Sequence, residues 1–229
     1  MPSNTKIVYY ISSALVTAVS VGVMGFGMSG NWATTTMECT RIGSDFTNGS
    51  AEITWQLLDG YLYRVFCPSF GGEGSFEVIP AMLEAGVTFV ALHGTVLCLL
   101  ALCLLFSACS ILISLYNSVS NPYATYMGPV GVYVCSSLSA CLAVVVLIIY
   151  AVNVAATNMA EELVKGMYDD ADLRNTSSEM KLGYFLIIPY IVLSLTAIVV
   201  IYMYDHAAYT HRREQQRPTE DAPKEIMMY

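Results

Sequence analysis

Charge is what this chain has least of. Asp, Glu, Lys and Arg make up 12% of its 229 residues, about half of the roughly 25% usual in soluble domains. Basic residues are the scarcer kind: ten Lys and Arg stand against eighteen Asp and Glu, a formal net charge of -8. Phosphate backbones are bound by clustered Lys and Arg, so this balance excludes a nucleic-acid partner. Histidine is scarcer still, with only His93, His206 and His211. His206 and His211 lack a metal partner at useful spacing. His93 sits alone in an apolar run and reads as a satisfied polar contact rather than a ligand. Zinc, haem and nucleotide motifs are missing, and no catalytic constellation occurs. The expectation is no metal, no cofactor and no enzyme.

What remains is apolar, 55% of the chain, and it is clustered. Residues 7–28, 87–115, 130–152 and 183–204 contain no Asp, Glu, Lys or Arg. About 20 such residues in a helix span the hydrocarbon core, roughly 30 Å thick. The sequence therefore predicts four membrane-spanning helices. The first run could also be a signal peptide, but it is longer than the usual apolar region of one, so a retained helix is preferred. With no ionisable side chain inside a span, no ion or proton relay is indicated, which argues against a transporter or pump.

Orientation follows from the short flanks, where Lys and Arg decide. Arg212, Arg213 and Arg217 follow the last span closely, and Lys6 precedes the first. An even number of spans puts both ends on one side, read as cytoplasmic at the plasma membrane. The segments are then a cytoplasmic N-terminus (1–6), the first span (7–28), an extracellular loop (29–86) and the second span (87–115). A cytoplasmic turn (116–129), the third span (130–152), a second extracellular loop (153–182), the fourth span (183–204) and a cytoplasmic tail (205–229) complete the chain. The sequons at Asn48 and Asn175 fall one in each outer loop and are the candidate glycosylation sites. Of seven cysteines, five lie in spans, where they pack as small apolar side chains; palmitoylation of Cys109 is the alternative there. Cys39 and Cys67 share the first outer loop, an oxidising setting, and are expected to form a disulfide.

Strand-like stretches occupy residues 32–40, 53–58 and 61–67 of the first loop. Asp59-Gly60 signals a hairpin between the last two, and Gly71-Gly72-Glu73-Gly74 reads as a flexible turn. A small antiparallel β-sheet over the helix ends is expected. Pro80 suits the first turn of a helix, placing the start of the second helix outside the bilayer. Met159, Leu163, Val164 and Met167 recur at helical spacing beyond the third span. They predict an extension packed on the sheet or, alternatively, an amphipathic surface helix. Pro189 is placed to kink the fourth helix. Gly22, Gly25 and Gly27 in the first span, and Ser136, Ser139 and Ala140 in the third, allow close helix approach, within the chain or in a dimer. The neutral turn holds Tyr123 and Tyr126, flanked by Tyr116 and Tyr133, rings suited to the headgroup zone.

That turn, YNSVSNPYATYMGPVGVY at 116–133, resembles the inner loop and third-helix start of the clarins. MAEELVKGMY at 159–168 is similar to the clarin segment that follows, and the tail THRREQQRPTEDAPKEIMMY at 210–229 resembles a clarin terminus. Trp32 followed by Cys39 also resembles the clarin pattern after the first helix. The resemblance implies a claudin-like four-helix bundle with an outer sheet. It also implies work in membrane and actin organisation, as in sensory cells. The claudin signature itself is not met, because the cysteines lie far apart and Trp55-Gln56-Leu57 only echoes it. The chain is thus expected to be a non-enzymatic organiser of membrane and cytoskeletal assemblies, or alternatively an adhesion protein or an auxiliary channel subunit. Membrane lipids and other membrane proteins are the expected partners. The terminal Met227 and Tyr229, flanking one residue before the carboxylate, fit capture by a PDZ scaffold.

Overall fold

The computed structural model describes residues 4–41, 49–66, 72–119, 128–155, 157, 159–167 and 171–216. The order is α1 (Asn4–Ser29), β1 (Ala33–Arg41), β2 (Gly49–Trp55), β3 (Asp59–Val65), β4 (Gly72–Glu77), α2 (Val78–Ala85) and α3 (Val87–Val119). It continues with α4 (Gly128–Ala155), α5 (Met159–Met167), β5 (Ala171–Met180), α6 (Leu182–Phe185) and α7 (Ile187–Gln216). Among the described residues four helical segments are long and apolar enough to cross a bilayer: α1, α3, α4 and the run from α6 into α7.

These four close into a ring in which α1 touches α3 and α7, and α4 touches the same two. On α3 the inward positions are Val96, Leu100, Cys103, Ser107, Ser110, Ser114 and Asn117. On α4 they include Val132, Ser136, Ser139, Ala143, Val146, Tyr150 and Asn153. Steps of three and four alternate without a break, the seven-residue period of helices in a left-handed supercoil. Many of these residues are small or hydroxylated. In lipid, apolar side chains gain nothing by turning inward, so close approach and hydrogen bonding select the contact face. Ser110 and Ser136 meet at 3.0 Å between α3 and α4. Tyr190 on α7 places its hydroxyl 2.8 Å from that of Ser107 and 3.3 Å from the Cys103 carbonyl. Ser13 on α1 donates to the Ala197 carbonyl of α7.

Over one end of the bundle lies an antiparallel sheet of five strands in the order β4-β3-β2-β1-β5. Its strands alternate as half-buried strands do. Ala51, Ile53, Trp55 and Leu62 face inward, while Glu52, Tyr61 and Tyr63 face out. The inner face shares one apolar core with the helix ends, so sheet and bundle are a single packed body.

The structure corrects several expectations. Gly60 pairs with Trp55 inside the ladder, and the turn is made by the residues between them. Gln56 N–H bonds the Asp59 carbonyl across that turn. Gly72, Glu73 and Gly74 form edge strand β4 rather than a loop; Gly71 lies outside the described residues. The second helix starts at Val78 and breaks at Gly86, whose φ of 154° only glycine holds without strain. The third-span helix ends at Ala155, and α5 is a separate helix packed chiefly on α2. Of the three crowding glycines only Gly27 meets a neighbour; Gly22 and Gly25 face open space. The interruption expected from Pro189 is present: Pro189 lacks an N–H for the Phe185 carbonyl, and α6 gives way to α7 at Leu186. Strand β5 was not anticipated at all.

Candidate functional site

The place where sheet and bundle join is built around Trp32, just past the end of α1. Its N–H bonds the Trp55 carbonyl and its carbonyl accepts from Lys181 N–H, which fixes β1 between β2 and the chain entering α6. Its indole Nε1 reaches back 2.9 Å to the Gly27 carbonyl. The ring packs edge-on against Tyr150 of α4, with centroids 4.9 Å apart. One residue thus ties α1 and α4 through its side chain to the sheet through its backbone. A second strut is His93 of α3, whose Nε2 donates to the Leu57 carbonyl at 2.7 Å. His93 is buried and its Nδ1 has no partner among the described residues. Among those residues no group of His, Cys, Asp and Glu is arranged to hold a metal ion.

The face turned away from the bundle is polar and aromatic. Thr36, Glu52, Tyr63 and Glu73 stand in one cross-strand row. Tyr61, one pleat along on the same face, donates its hydroxyl to Glu73 at 2.7 Å, a bond that holds its proton and raises the phenol above its ordinary range. At the β5 end, Glu179 and Lys181 pair at 2.9 Å. That hydrogen bond and the ammonium charge lower the Glu179 carboxyl.

The sequence-derived site residues fall as follows. Cys39 lies on β1, buried and disulfide-bonded, while Cys67 lies outside the described residues. The five span cysteines, Cys98, Cys103, Cys109, Cys135 and Cys141, are free. Asn175 lies on edge strand β5, exposed, with a left-handed φ of 53°. Its Nδ2 donates to Glu38 of β1 at 2.7 Å. Asn48, Met227 and Tyr229 lie outside the described residues, as do Tyr123 and Tyr126 of the neutral turn. The ends of that turn are held together by Asn117 Nδ2 donating to the Gly128 carbonyl. Gly183 was missed by sequence reasoning. A Cβ there would lie 2.7 Å from the Trp32 ring and 2.8 Å from two carbonyl oxygens. A glycine opening an otherwise aromatic and aliphatic span was the available signal.

No protein-family model matches the chain. Full-length relatives do exist. Clarin-3 of Homo sapiens is 28% identical over 242 residues, covering all of both chains, and Clarin-3 of Rattus norvegicus is 29% identical over 231 residues with the same coverage. Clarin-1 of Homo sapiens is 25% identical over 175 residues, 71% of this chain and 72% of that protein. The similarity is therefore not confined to the inner turn. With four spans under one small sheet, the chain is a multi-pass tetraspan membrane protein related along its whole length to the clarin family.

Proposed function

We propose that the chain is a non-enzymatic organiser of membrane-protein and cytoskeletal assemblies, with the sheet outside the cell and both termini in the cytoplasm. The observation that carries this reading is the fusion of a packed four-span bundle to a sheet whose outward face is uncovered among the described residues. Ser107 with Tyr190 and Ser110 with Ser136 tie the helices together across the bundle interior, which supports a platform rather than a path. The outward face offers Tyr61 and Tyr63, both 43% exposed, among Glu38, Glu52 and Glu73. Aromatic anchors ringed by polar groups are the usual anatomy of a protein contact. A Cys39–Cys67 disulfide staples this sheet, Asn48 and Asn175 carry glycans, and the tail ending in Met227 and Tyr229 recruits a PDZ scaffold. Proximity labelling in cells tests the reading. Membrane and actin-linked neighbours should be enriched with the full chain. Removing Tyr229 should lose the scaffold fraction, and Tyr61→Ser with Tyr63→Ser the extracellular fraction. Identical neighbours in all three would remove it.

An adhesion role is the second reading. It is favoured by the places of β4 and β5 at the two ends of the sheet among the described residues, since an edge strand can accept a strand from another molecule. Aggregation of cells expressing the chain, absent from controls, would select it.

A further inference from the structure

Where α1 ends and the chain enters α6, a groove of about 330 Å³ opens at the sheet-side boundary of the bilayer. Its walls are of two kinds. Phe26 and Leu182 are 66% and 63% exposed on the spans, and Leu186 lies beside them. Asn31, Thr34 and Lys181 form the other end, where the chain leaves the bundle for the sheet. The groove is preformed. Gly183 N–H bonds the Asn31 carbonyl, Lys181 N–H the Trp32 carbonyl, and Gly30 N–H the Gly27 carbonyl. The depression exists because the two segments cross at glycines, with no room for a side chain at Gly183.

The polar end carries a specific charge pattern. Lys181 Nζ is paired with Glu179 at 2.9 Å, with the side chains 38% and 74% exposed. A pair this exposed is weakly held, so either partner can be taken by a ligand at little cost. Asn31 Oδ1 is occupied by the Gln56 amide, which leaves the Asn31 amide N–H groups as donors. An ammonium and amide donors suit a phosphate; the adjacent carboxylate suits a cationic ammonium one step further out. Phe26, Leu182 and Leu186 give the groove an apolar wall for an acyl chain. We propose that this groove holds one zwitterionic glycerophospholipid of the sheet-side leaflet. Its phosphate lies on Lys181 and Asn31, its choline or ethanolamine on Glu179, and one acyl chain against Phe26 and Leu186. A purely anionic headgroup would meet Glu179 with no cation to offer, and free phosphocholine would leave the apolar wall empty.

Native mass spectrometry of the full-length protein in detergent tests this, with phosphatidylcholine, phosphatidylglycerol of the same acyl chains, and phosphocholine as probes. One phosphatidylcholine should be retained per chain at concentrations where the other two are not. Lys181→Glu should weaken retention about tenfold, the loss of one charge-assisted contact. Leu186→Trp should do the same by filling the apolar side of the groove, and Lys181→Arg should keep retention. Equal retention of phosphatidylglycerol, no retained lipid, or retention unchanged in both Lys181→Glu and Leu186→Trp would overturn the proposal. The headgroup comparison uses the natural sequence alone, so a misfolded variant does not leave the question open.

Discussion

Trp32 and Gly183 touch so closely that a methyl group at residue 183 would sit 2.7 Å from the indole ring. The other two near atoms are backbone carbonyls of Asn31 and Gly27, each 2.8 Å away, so nothing soft can give. Gly183→Ala must push α6 off the Trp32 junction. Overpacking of this kind costs about 1–3 kcal/mol or more. The expected outcome is loss of the monodisperse peak in fluorescence-detected size-exclusion chromatography and a lowered melting temperature. Gly22→Ala and Gly25→Ala, which meet open space, should leave both unchanged.

Tyr190 and Ser107 offer a cleaner measurement inside the bundle. Their hydroxyls lie 2.8 Å apart and both residues are buried. Inter-helix hydrogen bonds in membranes average about 0.6 kcal/mol, with about 1.7 at most. Tyr190→Phe and Ser107→Ala should each destabilise by an amount in that range. The double variant should cost less than the sum of the two, because the shared bond is lost only once. Strict additivity in thermal or denaturant unfolding would show that the pair does not interact.

Glycosylation separates the topology from its mirror image. Asn175 is exposed on an edge strand, so a glycan on its Nδ2 extends into solvent and leaves the second N–H for Glu38. With the sheet outside the cell, glycosidase treatment should increase gel mobility. Asn48→Gln and Asn175→Gln should each remove part of that shift, and together all of it. If the sheet were cytoplasmic, no shift would occur in any of the four chains.

The four spans were legible because a bilayer imposes length and composition on whatever crosses it. The inner faces of α3 and α4 were harder, although Ser136, Ser139 and Ala140 were read as close-packing residues. In lipid the inward stripe is the more polar one, and it shows up as Ser, Cys and Asn at seven-residue spacing. Strand β5 could not be read from its own residues. ADLRNTSSEM holds no β-branched apolar side chain and several poor strand formers. It is a strand because β1 offers it a partner from Ala33↔Met180 to Arg41↔Ala171, and that pairing joins segments far apart in the chain. Gly60 misled for a related reason. Asp59-Gly60 is a turn signal in isolation, but in the sheet Gly60 leaves room for the Phe76 ring of β4, which would stand 2.3 Å from a Cβ.

The disulfide expected in the first outer loop gives a test that distinguishes a staple from two indifferent thiols. Cys39 is buried on β1, bonded, and part of the core shared by sheet and bundle. Pairing it with Cys67 closes a loop of about 28 residues, and removing a native disulfide from a small oxidised domain typically costs about 2–5 kcal/mol. Cys39→Ser, Cys67→Ser and the double variant should therefore lose the same amount of stability, because each breaks one and the same bond. A non-reducing peptide map should show the two cysteine peptides joined in the natural sequence and separate in all three. If Cys39→Ser is destabilising while Cys67→Ser is neutral, the stability at Cys39 comes from its burial in the core and not from a bond to Cys67.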